Sequence, residues 1–134
     1  MLNSLFMDTG FVIALVNEND QYHQKALILA DKFEGFPTVI TDAVLLEIGN
    51  ALSKKFKLQA TEIINYFYSS PEVTIIHLNP ILFKKGLELY QSYQDKTWGL
   101  VDCISFVVMR EMGINDVLTF DKHFSQAGFN ILQV

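Results

Sequence analysis

Leu100-Val101-Asp102-Cys103-Ile104-Ser105-Phe106-Val107-Val108-Met109-Arg110-Glu111-Met112-Gly113, with Val117-Leu118-Thr119-Phe120-Asp121 after it, is the stretch on which the fold turns. The first part is apolar at helical spacing and stops at a glycine, a common helix terminator. The second is a short apolar run closed by an acid. The pattern predicts a helix over Leu100–Met112 and a strand over Val117–Phe120, with no hairpin signal between them. Toward the C-terminus follow a turn of helix, Lys122–Gln126, and a last strand, Phe129–Leu132. Toward the N-terminus, Pro80–Tyr93 reads as a helix capped by Asn79 and opened by Pro80, where a missing N–H costs least. Val73–Leu78 precedes it as a strand.

The same alternation continues to the start of the chain. Thr61–Tyr68 is a helix halted at Ser69-Ser70-Pro71, because proline disfavours helical geometry in the residue before it. A helix capped by Thr41 or Asp42 runs to about Phe56, after the β-branched run Pro37–Thr41. Gln21–Phe33 places Tyr22, Ala26, Leu29, Ala30 and Phe33 at helical spacing and stops at Gly35. Leu5–Asp8 is a short apolar run leading through Asp8-Thr9-Gly10 into a short helix, Phe11–Val16. Strands separated by helices predict a parallel sheet covered on both faces, so the fold class is α/β.

With 134 residues the chain has the length of one domain. It shows no repeat, low-complexity tract or linker, so residues 1–134 read as a single domain. An apolar share of 50% against 19% charged excludes disorder. Fifteen acidic against ten basic residues, net −5, argue against a dominating field for nucleic acid but leave room for a local basic strip. The single Cys103 cannot form an intramolecular disulfide, and no Cys/His spacing suggests zinc. Leu2–Val16 is apolar but broken by Asp8 and lacks signal-peptide flanks. No apolar run approaches the ~18 residues of a membrane span. A soluble cytoplasmic protein is expected.

Open parallel sheets gather ligands outside the carboxyl ends of their strands. Asp8 and Asp121 fall there, while Glu47 and Asp102 interrupt apolar helix segments, where a carboxylate is expensive unless paired or on a metal. Helix electrostatics is the bland explanation: Asp102 in a first helical turn, Asp121 as a cap. Glu47 resists it, lying mid-helix with no Lys or Arg four residues away. A shared divalent-cation site explains all four, since hard oxygen donors suit magnesium or manganese. Such an ion polarises a phosphoryl oxygen and activates a bound water, the chemistry of phosphodiester hydrolysis.

Asp8 in Phe6-Met7-Asp8-Thr9, then Glu47, Asp102 in Trp98-Gly99-Leu100-Val101-Asp102-Cys103-Ile104-Ser105-Phe106, and Asp121 in Leu118-Thr119-Phe120-Asp121-Lys122-His123-Phe124 form an ordered set. With Asp20-Gln21-Tyr22-His23 and Ala26, it resembles the PIN-domain nucleases, close to the VapC-type ribonuclease toxins, over essentially the whole chain. The resemblance implies a three-layer α/β/α sandwich with a central, mainly parallel sheet. It also implies that Asp8, Glu47, Asp102 and Asp121 hold one or two Mg²⁺ or Mn²⁺ ions for RNA cleavage by a metal-activated water. Thr9 and Thr119 match hydroxyl positions of the family pattern. Asn50 and Ser105, each about one helical turn beyond a carboxylate, are further candidates for orienting ligands. A toxin role, a small antitoxin protein as partner, and a homodimer built through apolar helices near the N-terminal half complete what the resemblance implies.

Other residues invite plainer readings. Asp116 reads as a turn residue, with Asp121 as its competitor for the fourth carboxylate position. Asp95, Arg110 and Glu111 read as solvated, His23 and His123 as packing or partner contacts, and Cys103 as inert core. Lys54, Lys55 and Lys57 read as a solvated helix C-terminus and, with Lys84 and Lys85, as the best local strip for RNA phosphates. An aspartic protease is excluded by the helical periodicity. A haloacid-dehalogenase-like phosphatase lacks its second Asp, Gly10 standing there, and a receiver lacks its acidic pair. The remaining alternative is a catalytically inert PIN-like module that binds protein or RNA.

Overall fold

The computed structural model describes residues 3–134; Leu2, where the apolar opening stretch begins, lies outside them. The chain runs β1 (Leu5–Met7), α1 (Thr9–Val16), α2 (His23–Lys32), β2 (Thr38–Thr41), α3 (Asp42–Ala51), α4 (Lys57–Ser69) and β3 (Val73–Ile76). It continues with α5 (Pro80–Ser92), α6 (Leu100–Met112), β4 (Asp116–Leu118), α7 (His123–Gln126) and β5 (Asn130–Ile131). The five strands pair in parallel throughout, in the order β3-β2-β1-β4-β5. Successive strand residues face opposite sides of a sheet. Burial of both Leu5 and Phe6, and of every residue of Thr38–Thr41, therefore requires cover on both faces. This is the expected α/β architecture, a parallel sheet between helical layers. Among the described residues no helix is long and apolar enough to cross a membrane.

Local chemistry sets the element ends. Asn79 Oδ1 accepts from the Leu82 N–H at 2.8 Å and Pro80 opens α5. Thr41, rather than Asp42, caps α3, its Oγ1 accepting from the Val44 N–H at 3.1 Å. Gly113 closes α6 with φ +69°, a left-handed conformation that costs glycine little.

Two expectations are corrected. The helix expected to reach about Phe56 ends at Ala51, and α4 starts at Lys57 rather than Thr61. Between them the Ser53 hydroxyl donates at 3.0 Å to the Asn50 carbonyl, which a continuing helix would have given to the Lys54 N–H. The fourth strand spans Asp116–Leu118 instead of Val117–Phe120, because its ladder with β1 ends where Met7 faces Leu118 and β1 turns into α1. Asp116 thus opens the strand, at the end opposite Asp121, and accepts from Asn130 Nδ2 at 2.9 Å. It does not compete with Asp121.

The core holds the aromatic share of the sequence. Phe106 meets Phe124 at 4.9 Å and Trp98 at 5.2 Å between ring centroids, both edge to face. Trp98 is buried with its indole N–H donating to Gln126 Oε1 at 3.0 Å, which fastens the approach to α6 onto α7. Helices α5 and α6 approach closely at the buried Gly86, where an added Cβ would come within 2.5 Å of Ile104 Cγ1 and 3.4 Å of its Cα. Gly86→Ala therefore lowers the melting temperature: overpacking costs about 1–3 kcal/mol, more than the ~1 kcal/mol alanine gains in a helix. Gly49→Ala in α3, whose Cβ would meet nothing within 4 Å, raises it. Melting curves of the two variants check the contrast, and shifts of the same sign would refute the close approach.

Candidate active site

From β1 the chain builds outward to β2 and β3, then returns to the other side of β1 for β4 and β5. The strand order switches between β1 and β4, and crevices for ligands open at the carboxyl ends beside such a point. The Asp8 N–H continues the ladder to the Leu118 carbonyl at 3.1 Å, so Asp8 and Thr119 leave the sheet side by side. The Thr119 hydroxyl donates to Asp8 Oδ2 at 2.8 Å and accepts from the Asp121 N–H at 3.0 Å. One threonine thereby ties together two carboxylate-bearing turns 113 residues apart in the chain, Asp8 and Asp121. Phe120, between Thr119 and Asp121 in the chain, stacks on Tyr22, centroids 4.5 Å apart and planes 10° from parallel, and lies 5.9 Å from Phe11.

Glu47 reaches the same place from α3: the Thr9 hydroxyl, in the first turn of α1, donates to its Oε1 at 2.5 Å. Asp102 enters from the first turn of α6. Its Oδ2 accepts from the Gly99 N–H at 3.1 Å, so it caps the helix and faces the site at once. Asp121 Oδ1 accepts from the His123 N–H at 2.9 Å, opening α7. The bland helix-end role is therefore real for Asp102, whereas α7 has Lys122 at its N-cap and Asp121 holds the His123 N–H from one residue earlier; both are compatible with a place in the cluster.

His123, expected to serve packing or a partner contact, belongs here. Its Nδ1 lies 3.2 Å from both Asp102 Oδ2 and Asp121 Oδ1, and its Nε2 3.1 Å from Thr97 Oγ1. Single ligand atoms of Asp102, Asp121 and His123 fall within 4.8 Å of one another, a group of three that does not include Asp8 or Glu47. The signal was present in the spacing Asp121-Lys122-His123, but an imidazole two residues after an acid is shared by many helix starts.

Like charges and lost water govern the electrostatics. Burial, with the Asp102 and Asp121 charges behind it, pushes the Asp8 carboxyl up to about 7 despite the hydrogen bonds from Thr119 and Thr9. Glu47 is raised by partial desolvation at its carboxyl and by Asp102, although the residue lies on the exposed side of α3. Asp102 is raised by desolvation and by Asp121, against the Gly99 and His123 contacts that lower it. Among the described residues none of the four pairs with Lys or Arg. Glu47 Oε2, Asp102 Oδ1 and Asp121 Oδ2 also meet no side-chain or backbone donor there. Hard oxygen donors, free on one side and unneutralised, fit a divalent cation.

The other candidate residues lie apart from these contacts. Asn50 is exposed, and Ser105 is buried in α6 with an unpartnered Oγ; neither hydrogen-bonds a site carboxylate. Lys54 and Lys55 sit in the turn after α3, and Lys57 opens α4, so the three do not share a helix C-terminus. Lys85 is ion-paired with Glu111. His23 Nδ1 meets the Ala14 carbonyl at 2.7 Å, a packing contact, and burial pushes the Cys103 thiol up to about 11.

These charges set a pH dependence for the metal-free protein. Between the ordinary 3.8 of an Asp and about 7, native Asp8 keeps a proton that the unfolded chain has released. Its contribution to stability is thus complete below 3.8 and lost as the pH rises through about 7, amounting to a few kcal/mol. Glu47 and Asp102 act in the same direction. In EDTA the melting temperature falls from pH 5.5 to pH 8, and Asp8→Asn flattens the slope. A profile that stays equally steep in the variant would show that Asp8 is not the strained group.

Residues 5–130 match the PIN domain family. The chain is 33% identical over 127 residues, covering 93% of it and 95% of the relative, to the 23S rRNA-specific endonuclease VapC20 of Mycobacterium tuberculosis. The crystal structure of that protein, described as a Sarcin-Ricin loop cleaving toxin, superposes with a TM-score of 0.87 at 29% identity, over 97% of this chain and 99% of the other. VapBC2 from Rickettsia felis, solved with a promoter DNA fragment, shares the fold at a TM-score of 0.69 and 16% identity, covering 96% and 97% of the two chains. Strand order, the carboxylates at the switch point and the extent of these matches lead to one conclusion: the chain belongs to the PIN-domain family.

Proposed function

We propose that the chain is a metal-dependent endoribonuclease that hydrolyses RNA phosphodiester bonds, one PIN-like domain over residues 1–134. The observation that carries this reading is the convergence of Asp8, Glu47, Asp102 and Asp121, with no Lys or Arg among the described residues paired to them. The four would hold one or two Mg²⁺ or Mn²⁺ ions. Bound there, such an ion supplies charge against the phosphoryl oxygens and a more acidic water. What the chain itself does is placement. Thr119 fixes one oxygen of Asp8, Thr9 one oxygen of Glu47, and the Gly99 N–H with the His123 ring turns the free oxygen of Asp102 outward. The His123 ring meets a site oxygen on each side, with Nδ1 beside Asp102 and Asp121 and Nε2 beside the Thr97 hydroxyl, so both ring nitrogens have a partner.

The similarity to VapC20, a toxin that cuts an rRNA loop, supports a loop or single-stranded RNA as the substrate class. It equally supports a toxin role; a type II pairing with a small antitoxin protein, a cytoplasmic location and a homodimer complete the proposal.

Cleavage of a mixed RNA panel in Mn²⁺, Mg²⁺ or EDTA tests the reading. Cutting requires the metal and drops in Asp8→Asn by more than the ~100-fold typical of losing an outer partner, while Thr119→Ala loses roughly 10–100-fold. Mn²⁺ also raises the melting temperature of the wild type, since it binds only the folded site. Cutting in EDTA, or undiminished cutting by Asp8→Asn, would overturn the assignment. Neither cutting nor stabilisation by Mn²⁺ would leave the inert binding module as the better reading.

A further inference from the structure

Beside the carboxylate cluster runs an open groove of about 560 Å³, within the range of small-ligand sites. Asp121 belongs to both, so whatever fills the groove lies next to the reacting centre. One wall is aromatic: Tyr22 and Phe120, half-buried and stacked in parallel 4.5 Å apart. Gly10, in the first turn of α1, leaves the groove open, for a Cβ there would meet nothing within 4 Å. The polar lining is of mixed kind. Asp20 has one oxygen engaged by the Tyr22 N–H at 2.8 Å, and Gln21 is exposed.

Acids at Asp20 and Asp121 would repel a phosphate seated in the groove, but suit a neutral ring whose edge donates hydrogen bonds. The cations stand at its margin. Lys122 lines this groove and, together with Lys25, an adjoining depression of about 200 Å³. Among the described residues neither lysine makes an ion pair. An aromatic wall with acceptors inside and unpaired cations outside is the arrangement that takes a base inward and its backbone outward.

Building on the endoribonuclease reading, we propose that this groove is the subsite for the nucleobase beside the cleaved phosphodiester. The base lies against the Tyr22–Phe120 wall, Asp20 and Gln21 face its edge, and Lys122 and Lys25 take the flanking phosphates.

Binding of a short labelled single-stranded RNA, and of the same strand with its central bases removed, tests this by fluorescence anisotropy in the Asp8→Asn protein. Removing the bases weakens binding roughly tenfold. Gly10→Leu, added to that background, fills the groove, weakens the intact strand by a similar factor and abolishes the difference between the strands, with no loss of melting temperature. Lys122→Ala weakens both strands alike and lowers the salt slope by about 0.7. Equal binding of the two strands by the parent, or a base preference that survives Gly10→Leu, would overturn the subsite; it is also the result expected if the groove seats a polypeptide. Cleavage by the otherwise wild-type protein separates the two claims. Base-dependent binding with neither cutting nor stabilisation by Mn²⁺ would sink the nuclease and keep the subsite, whereas Gly10→Leu cutting with unchanged KM would do the reverse.

Discussion

β1 and β4 lie side by side and parallel, with Met7 against Leu118, so both strands leave the sheet at the same end and within one hydrogen bond of each other. Everything at the site depends on that pairing. It sets Asp8 next to Thr119, and the Thr119 hydroxyl then fixes both the Asp8 carboxylate and the turn that carries Asp121. Because the strand order switches here, no crossover helix covers the crevice between the two exits, and the first turns of α1 and α6 can open into it.

Holding these acids together costs the protein stability. Each of Asp8, Glu47 and Asp102 is pushed toward its protonated form, and the charge of Asp102 bears on both of the others. Asp102 offsets part of its cost locally by capping α6, which gives a helix-stabilising residue a second role. The cluster leaves free carboxylate oxygens where a purely structural network would have placed a lysine or arginine, since buried charge without a partner is otherwise selected against.

A chain of net charge −5 cannot draw RNA by its overall field. Substrate contact must come from local features, and the aromatic pair beside Asp121 supplies one that needs no charge. The same Phe120 that lines the groove is held by Tyr22 and Phe11, so the wall and the carboxylate next to it are fixed by one stack. Rigidity of the site and shape of the groove thus have a common origin.

Much of this was legible in the residues. The bounds of α6 and the caps of α3 and α5 follow from glycine, proline and side-chain oxygen chemistry acting within a turn. The four acids stood out because charge in apolar segments is expensive. The break after Ala51 was obscured by continued helical spacing through Phe56, which the Ser53 hydroxyl overrides. The end of β4, the place of His123, and the partnership of Thr119 with Asp8 across 111 residues depend on which strand pairs with which, in what register. The sequence by itself determined the alternation of helices and strands, their caps and the identity of the acids, because those signals act over a few residues. Only the tertiary structure decided which acids and hydroxyls meet, because a parallel ladder joins residues whose separation along the chain carries no local signal.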